Sequence, residues 1–190
     1  MKIILASNSP RRREILKAAG YDFEVKVSEF SEKDIKGNPK ETATLNAKGK
    51  AKDVFSKISA ENGGKSEAVV IGADTVVYIQ GEILGKPKTQ EEAAAMLKRL
   101  SGNTHEVVTG YAIISDKEEI TGASVSEVTF NDLSEELINK YVSTGLPMDK
   151  AGAYGIQDGF PIVKNYTGEF ENVMGLPIAE IKKRLARLGL

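Results

Sequence analysis

The sequence predicts an α/β protein with a mixed, twisted sheet and flanking helices, and two observations support this prediction. In the first half, apolar strand segments alternate with segments of helical spacing, which is typical of parallel pairing. Further along, strand segments follow one another across short polar turns, which is typical of antiparallel hairpins. Because both kinds of connection occur, a mixed sheet is favoured over a purely parallel one. No linker rich in Pro, Gly or Ser divides the 190 residues, so we expect a single domain, residues 1–190.

The first elements have clear end signals. The run KIILA, residues 2–6, is typical of a short buried strand. Ser9 is a good N-cap for the helix that follows, Pro10 suits its first position and Gly20 suits its end. A second strand over residues 22–28 then leads into a polar loop.

The middle of the chain predicts a long helix over residues 40–58 and then a hairpin. The hairpin consists of the strand AVVIGADTVVYI, the turn Gln80-Gly81 and the returning strand EILG. Thr89 and Glu92 form a capping box for a helix that ends near Leu100. The remaining elements are two strands over about 105–115 and 120–130 joined by Asp116-Lys117-Glu118, a helix from Ser134 to Gly145, the irregular segment KAGAYGIQDGF, the strand PIVKNY and an amphipathic helix over 177–188.

The composition excludes several classes of function. The chain has no cysteine, which excludes disulfide scaffolds, thiolate nucleophiles and cysteine-ligated metals. Its net charge of -1 gives no global footprint of a nucleic-acid or membrane-surface binder. Signal-peptide and membrane-span patterns are absent, so we expect a cytoplasmic protein. The lone histidine, His105, stands at the start of a strand, and we expect a structural or peripheral role for it.

A first candidate site lies at the turn after the first strand. The start of a helix presents free backbone N–H groups and a partial positive charge, and both favour a bound anion. Ser7 and Ser9 add hydroxyls there, and Arg11, Arg12 and Arg13 add cations, so the segment could cradle a phosphate. Successive helical residues point about 100° apart, so only two of the arginines should face one ligand. A solvated basic helix start is the alternative.

A second candidate is Asp74, which interrupts an apolar strand. A carboxylate in such a run is costly to bury without partners, so a cation, a metal or a ligand should meet it. Gly72 and Ala73 beside it leave room for close approach. The alternative is a bulge at which Asp74 bonds a nearby backbone amide.

Lysines and glutamates near these two candidates could complete a site, although each alone is more typical of a solvated surface. Lys48 and Lys52 share one helix face and Lys50 lies nearly opposite, so one of these faces should be solvent. Lys86 stands in a constrained Gly-Lys-Pro loop after the hairpin. A further set of acids, Glu29 and Glu32 with Asp74, could hold a hard divalent cation. The sequence has no P-loop and no dinucleotide fingerprint.

Six motifs in order span essentially the whole chain: LASNSPRRREIL, GADTVV, GKP, LKRLSG, DKAGAYGIQ and VMGLP. Together they closely resemble the Maf family, the septum-formation-inhibitor-like nucleoside triphosphate pyrophosphatases. The resemblance implies two lobes around a central cleft, as in inosine triphosphate pyrophosphatases, a divalent metal such as Mg²⁺ or Mn²⁺, and frequent homodimers. The Thr after the Asp and the GAYGIQ segment resemble the dTTP/UTP pyrophosphatase subgroup, whose role is the removal of non-canonical or excess nucleotides.

The resemblance also implies roles for individual residues. Asp74 matches the proton acceptor for water that attacks the α-phosphorus, and Glu32 would share the metal with Asp74. The positions tied to base selection are Arg11, Thr75 and Gln157. The positions tied to phosphate binding are Ser7, Arg12, Lys50 and Lys86. The chain differs from the pattern at Asp158, which places an acid directly after Gln157.

Two other functions remain open. A non-catalytic nucleotide-binding regulator of septum formation would use the same phosphate cradle to control a partner. An aspartyl phosphatase ordinarily needs a DxDx[TV] arrangement, and GADTVV supplies a single Asp, so this reaction is the weaker alternative.

Overall fold

A computed structural model describes residues 1–190 and contains one seven-stranded mixed sheet with helices on both faces. The strands are β1 (Lys2–Leu5), β2 (Phe23–Val25), β3 (Ala68–Ile79), β4 (Glu82–Leu84), β5 (Thr104–Ile114), β6 (Glu119–Phe130) and β7 (Val163–Thr167). The helices are α1 (Pro10–Ala18), α2 (Pro39–Glu61), α3 (Gln90–Leu100), α4 (Glu135–Ser143), α5 (Phe170–Met174) and α6 (Ile178–Arg187), with two 3₁₀ turns over Leu146–Asp149 and Ala151–Ala153. None of the helices is long and apolar enough to cross a membrane.

The sheet order is β2-β1-β3-β5-β6-β7, and β4 pairs with β3 beside this path. β1 is parallel to both β2 and β3, whereas every other pair is antiparallel. The predicted mixed α/β sheet is therefore confirmed. The β3–β4 turn also forms as predicted, because Gln80 (φ 50°) and Gly81 (φ 84°) both adopt the positive φ that a two-residue hairpin needs.

The helix starts follow their capping signals. The hydroxyls of Ser9, Thr89 and Ser134 accept the N–H groups of Arg12, Glu92 and Leu137 at 3.5, 3.2 and 3.1 Å. Other bounds differ from the predictions. α2 extends to Glu61, and β2 is shorter than predicted because its partner β1 ends at Leu5, whose carbonyl accepts the last bond from the Lys26 N–H.

The core forms groups along the length of β3. Near its start, Val69 and Ile71 pack with α1 and α6 on one face, while Val70 packs with α2 on the other. Near its end, Val77 and Ile79 belong to a separate group with α3 and α4. The middle of β3, which carries Asp74, lies between these groups.

Helix α2 lies in direct contact with the centre of the sheet. A Cβ at Gly72 would stand 2.3 Å from the Ala47 carbonyl oxygen, and one at Gly110 would stand 2.2 Å from the Ala43 carbonyl carbon. Only glycine permits such an approach of two backbones. The buried alanines of α2 complete this close packing and bring its polar side chains to β3.

A gap in the sheet opens beside the middle of β3. β1 pairs with β3 as far as Ile71, and β4 pairs with it only from Val77 onward. Between these points β3 is paired with β5 alone. The gap lies at the carboxyl end of β1. This strand has β2 on one side and β3 on the other, so the strand order changes direction here. Ligands of open α/β sheets bind at such a switch in strand order.

Candidate active site

A cleft of about 240 Å³ lies at this gap, and a second cavity of about 500 Å³ adjoins it. The residues shared by the two cavities include Arg11, Arg12, Glu32, Lys50 and Lys86. Asp74, Thr75 and Gln157 line the first cavity, and Ser7 lines the second. These residues thus come from six separate segments and meet around one cleft.

Asp74 is buried and held by two side chains of α2. Its Oδ1 accepts a hydrogen bond from Lys50 Nζ at 2.7 Å, and its Oδ2 accepts one from Asn46 Nδ2 at 3.0 Å. Asn46 and Lys50 are one helical turn apart, so they share the face that packs on β3. The carboxylate therefore has the cationic partner that its burial requires, and its orientation is fixed.

Lys50 also joins Asp74 to Glu32. Its Nζ lies 2.6 Å from Glu32 Oε1, so one ammonium touches both carboxylates. Partial burial opposes ionisation of Glu32, yet the hydrogen bond and charge of Lys50 outweigh it and lower the pKa of this carboxyl. The loop that carries Glu32 is tied down by Asn46, which accepts the Lys33 N–H at 2.8 Å and donates to the Lys33 carbonyl at 2.9 Å.

Two carboxylates of the cleft could serve as ligands of a hard divalent cation, but the protein supplies no further acidic ligand. Glu32 and Asp74 direct oxygens toward one point, which a cationic group already occupies, and Mg²⁺ prefers one or two carboxylates. No group of three or more His, Asp or Glu side chains forms a closed metal cage. The other ligands would have to be water and phosphate oxygens, as is usual for Mg²⁺ sites that act on phosphates.

Arg12 crosses the floor of the cleft. Its Nε donates to the Gly175 carbonyl at 2.7 Å, and its two terminal nitrogens donate to Ser7 Oγ at 3.1 Å and Thr75 Oγ1 at 3.2 Å. Burial lowers the pKa of the Arg12 guanidinium, and the charge of Asp74 opposes this shift. Gly175 has φ 112°, which brings its backbone against the arginine. Arg12 is thus a fixed cation at the first turn of α1.

Thr75 faces away from α2, because neighbouring strand residues point to opposite sides of a sheet. Its hydroxyl lies 2.9 Å from that of Thr109, which donates to the Asn172 carbonyl in α5. The sequence did not predict α5, since five residues are too few for a helical pattern. This short helix nevertheless positions both Thr75 and the Gly175 carbonyl.

Arg11 forms an ion pair across the cleft mouth. Its guanidinium donates to Asp149 Oδ2 at 2.7 Å and to the Asp149 carbonyl at 3.2 Å. Burial opposes ionisation of Asp149, but hydrogen bonds from Lys150 and Arg11 lower the pKa of this carboxyl. Arg13 turns aside and donates to the Asn8 carbonyl, so two of the three arginines face the first cavity, in line with the helical geometry.

Lys86 is exposed at the rim of both cavities and has no side-chain hydrogen bond or ion pair. Its positive charge contributes to the lowered pKa of Glu32. Gln157 is exposed on the opposite rim, where its Nε2 donates to Asp158 Oδ1 at 3.2 Å. These two side chains remain accessible to a ligand in the cleft.

Several other candidates take no part in the cleft. Glu29 pairs with Lys57 and does not approach Asp74, so the expectation that it joins the metal site is not met. Lys48 and Lys52 both pair with Glu119, on the helix face that the spacing separated from Lys50. His105 is buried, and its Nε2 lies 2.8 Å from the Tyr154 hydroxyl.

Sequence reasoning missed Asn46, Asp149 and Lys150. Asn46 carries a weak signal, because it is a polar residue among the alanines that face the sheet and it precedes Lys50 by one turn. Asp149 and Lys150 open the DKAGAYGIQ motif, but nothing local indicates the contact of Asp149 with Arg11, which joins residues 138 positions apart.

The fold and the cleft define a class of protein, an α/β protein with a polar cleft suited to a phosphorylated ligand. The chain belongs to the family described as Maf-like protein, whose profile matches residues 2–188. It is similar to the "dTTP/UTP pyrophosphatase" of Thermococcus onnurineus, with 50% identity over 98% of this chain and 97% of the relative. The proteins of the same name from Pyrococcus furiosus (50% identity, 99% of this chain, 95% of the relative) and Aquifex aeolicus (46%, 100% and 97%) are similarly close.

Proposed function

We propose that this protein hydrolyses UTP and dTTP to the nucleoside monophosphate and pyrophosphate, in the cleft beside Asp74. One observation carries the proposal: a buried carboxylate, oriented by Asn46 and Lys50, faces a cleft lined with arginine and lysine. That is the arrangement expected for activating water beside a polyanion. The names of relatives that align over nearly the whole chain support the choice of reaction and substrate.

The phosphates bind at the carboxyl end of β1. Arg12 and Ser7 are already joined at 3.1 Å at the start of α1, whose dipole also favours an anion. Lys86 has no partner within the protein and can reach a phosphate without breaking an ion pair. These cations stabilise charge that develops on the bridging oxygen and on the departing pyrophosphate.

Asp74 takes the proton from the water that attacks the α-phosphorus. Asn46 holds one carboxylate oxygen at 3.0 Å, so the other oxygen, which contacts Lys50, is the one that receives the proton. Lys50 then turns toward the phosphates, whose charge is the stronger attraction. A Mg²⁺ or Mn²⁺ ion held by Glu32 and Asp74 would supply charge neutralisation at the phosphate oxygens.

The base lies toward Gln157 and Arg11, away from Asp74. The Gln157 amide has one acceptor and two donors, which suits the imide edge of uracil or thymine. Thr75 acts indirectly, because its hydroxyl accepts a hydrogen bond from Arg12 at 3.2 Å and so fixes that guanidinium. The phosphate and base ends of the substrate therefore contact different segments of the chain.

The test is pyrophosphate release from a panel of triphosphates with Mg²⁺ or Mn²⁺. We expect turnover of UTP and dTTP in preference to ATP and GTP, and hydrolysis in isotopically labelled water should place the label in the monophosphate. Gln157→Ala should lower kcat/KM for UTP more than for ATP, whereas the matched surface change Gln90→Ala should leave both unchanged. Binding of UTP without turnover would instead support a non-catalytic regulator.

A further inference from the structure

Asp158, the residue after Gln157, is enclosed in a network of hydrogen bonds. Its Oδ2 accepts the Tyr141 hydroxyl at 2.5 Å and lies 3.4 Å from Lys150 Nζ, while its Oδ1 accepts Gln157 Nε2 at 3.2 Å. Its side chain is only 6% exposed. The acid therefore turns inward, so its charge is not presented to the substrate.

The direction of each hydrogen bond in this network is fixed by chemistry. The Gly155 N–H donates to the Tyr141 oxygen at 2.9 Å, so the hydroxyl proton of Tyr141 is directed to Asp158. Burial and the adjacent Asp158 raise the pKa of Tyr141, which keeps that proton in place. With a hydroxyl and the Lys150 ammonium on one oxygen, Asp158 is a carboxylate that can only accept.

The carboxylate also has little freedom to move. A Cβ at Gly155 would lie 2.6 Å from Asp158 Oδ1, so the backbone of the neighbouring segment packs directly against this oxygen. The atom of the Gln157 amide that faces Asp158 must then be the nitrogen. Its carbonyl oxygen and second N–H are left for other partners.

This orientation matters because the two ends of an amide have similar shape and opposite hydrogen-bonding character. Uracil and thymine present a ring N–H between two carbonyls, whereas cytosine presents a ring nitrogen acceptor beside an amino group. A glutamine that turns freely can pair with either edge. A glutamine held in one orientation can pair well with only one of them.

From this geometry we infer that Asp158 is a specificity-positioning residue, which holds the Gln157 amide in the orientation that reads uracil or thymine and rejects cytosine. The inference rests on the proposed function, because it requires Gln157 to contact the base. Asp158 touches Gln157 and does not touch the substrate.

The test compares kcat/KM for UTP and CTP in Asp158→Asn. The Tyr141 hydroxyl needs an acceptor, so the carbonyl of the new amide should face Tyr141 and its NH₂ should face Gln157. Gln157 must then turn its oxygen inward and present its NH₂ to the base. We expect the UTP/CTP ratio of kcat/KM to fall at least about tenfold, mainly through KM, as one mismatched pair of hydrogen bonds predicts.

Three further variants make the result decisive. Asp158→Ala removes the acceptor and frees the amide, so the ratio should fall less than in Asp158→Asn. Asp116→Asn, a matched change in the β5–β6 turn where the carboxylate accepts the Ser66 N–H, should keep the wild-type ratio. Gln157→Ala should reduce the ratio by itself, and adding Asp158→Asn to it should reduce the ratio no further.

Equal losses for UTP and CTP in Asp158→Asn would indicate a structural role and overturn the inference. A wild-type ratio in Asp158→Asn beside a changed ratio in Gln157→Ala would also overturn it, while the proposed base contact would stand. An unchanged ratio in Gln157→Ala would overturn both the inference about Asp158 and the proposed contact of Gln157 with the base. Failure of the wild-type protein to hydrolyse either nucleotide would count against the proposed function itself.

Discussion

Replacing Asn46 with leucine keeps the Asp74 carboxylate but removes a side chain that orients it. Asn46 is 3% exposed and makes three hydrogen bonds, one to Asp74 Oδ2 and two to the backbone of Lys33. Leucine has a similar volume and no polar atoms. The change therefore leaves Asp74 with Lys50 as its sole side-chain partner and releases the loop that carries Glu32.

The size of the effect follows from these contacts. A hydrogen bond to a charged acceptor contributes about 1.5–3 kcal/mol, and each neutral one about 0.5–1.5 kcal/mol. Lys33 is exposed, so water replaces its two bonds, and burial of leucine offsets part of the remainder. We expect a net destabilisation of about 1–2 kcal/mol, equivalent to about 2–8 °C in Tm. A misplacement of the carboxylate by about 1 Å can lower the rate by about 100-fold, so kcat should fall far more than stability.

The assay measures kcat for UTP together with unfolding in urea. Asn38→Ala is the matched control, because Asn38 caps the same helix by accepting the Glu41 N–H at 3.1 Å and does not line the cleft. Loss of this cap should cost about 0.5–2 kcal/mol and leave kcat unchanged. Wild-type kcat in Asn46→Leu, or equal loss of kcat in both variants, would refute the assignment of Asn46 as the residue that orients Asp74.

Three further outcomes follow from the packing and the charges. Gly110→Ala would force α2 away from the sheet, so stability should fall by about 1–3 kcal/mol in urea unfolding and kcat should fall with it; a variant as active as wild type would contradict the packing. Burial lowers the pKa of His105 from 6.5 to about 4, so the unfolded chain binds a proton in this range that the folded chain does not. Stability should therefore fall as the pH drops from about 6.5 to 4, by up to about 3 kcal/mol, and His105→Phe should flatten this part of the Tm–pH curve. Lys86→Gln should raise KM for UTP without changing stability by more than about 0.5 kcal/mol, since Lys86 has no partner in the protein; a lower Tm with an unchanged KM would show a structural role.

Local signals were sufficient for most of the fold. Ser9, Thr89 and Ser134 predicted helix starts because an N-cap acts within three residues of itself, and the observed bonds are of that kind. The Gln80-Gly81 turn could also be predicted, because a hairpin turn depends on the residues within it. Elements without a local signal were missed, notably α5, which is held by tertiary contacts such as the Thr109 bond to the Asn172 carbonyl.

The site could be predicted only in part. Asp74 could be singled out from the sequence because a carboxylate in an apolar strand requires a partner. The sequence did not identify that partner. Asn46 and Asp74 are 28 positions apart and meet because Gly72 and Gly110 let α2 approach the sheet. The individual roles came from resemblance to a family, since neither composition nor spacing distinguishes a phosphate-binding lysine from a solvated one.

The inward orientation of Asp158 also depended on the fold. In the sequence, an acid next to Gln157 adds a charge near the base. In the structure, Tyr141 and Lys150 hold that charge away from the cleft, so its effect is to orient the neighbouring amide. Adjacent residues can thus differ in exposure in a way that only the packing decides.

The central claim is that Asp74 activates the water that cleaves the triphosphate, and Asp74→Asn tests it most directly. The change preserves the shape of the side chain and removes the proton acceptor, while one of the two oxygens that accept from Lys50 and Asn46 becomes an NH₂ donor. Pyrophosphate release from UTP in a single turnover should fall by at least about 100-fold, within the range of a lost general base, while UTP still binds. Release of pyrophosphate at the wild-type rate by the Asn variant would contradict the account.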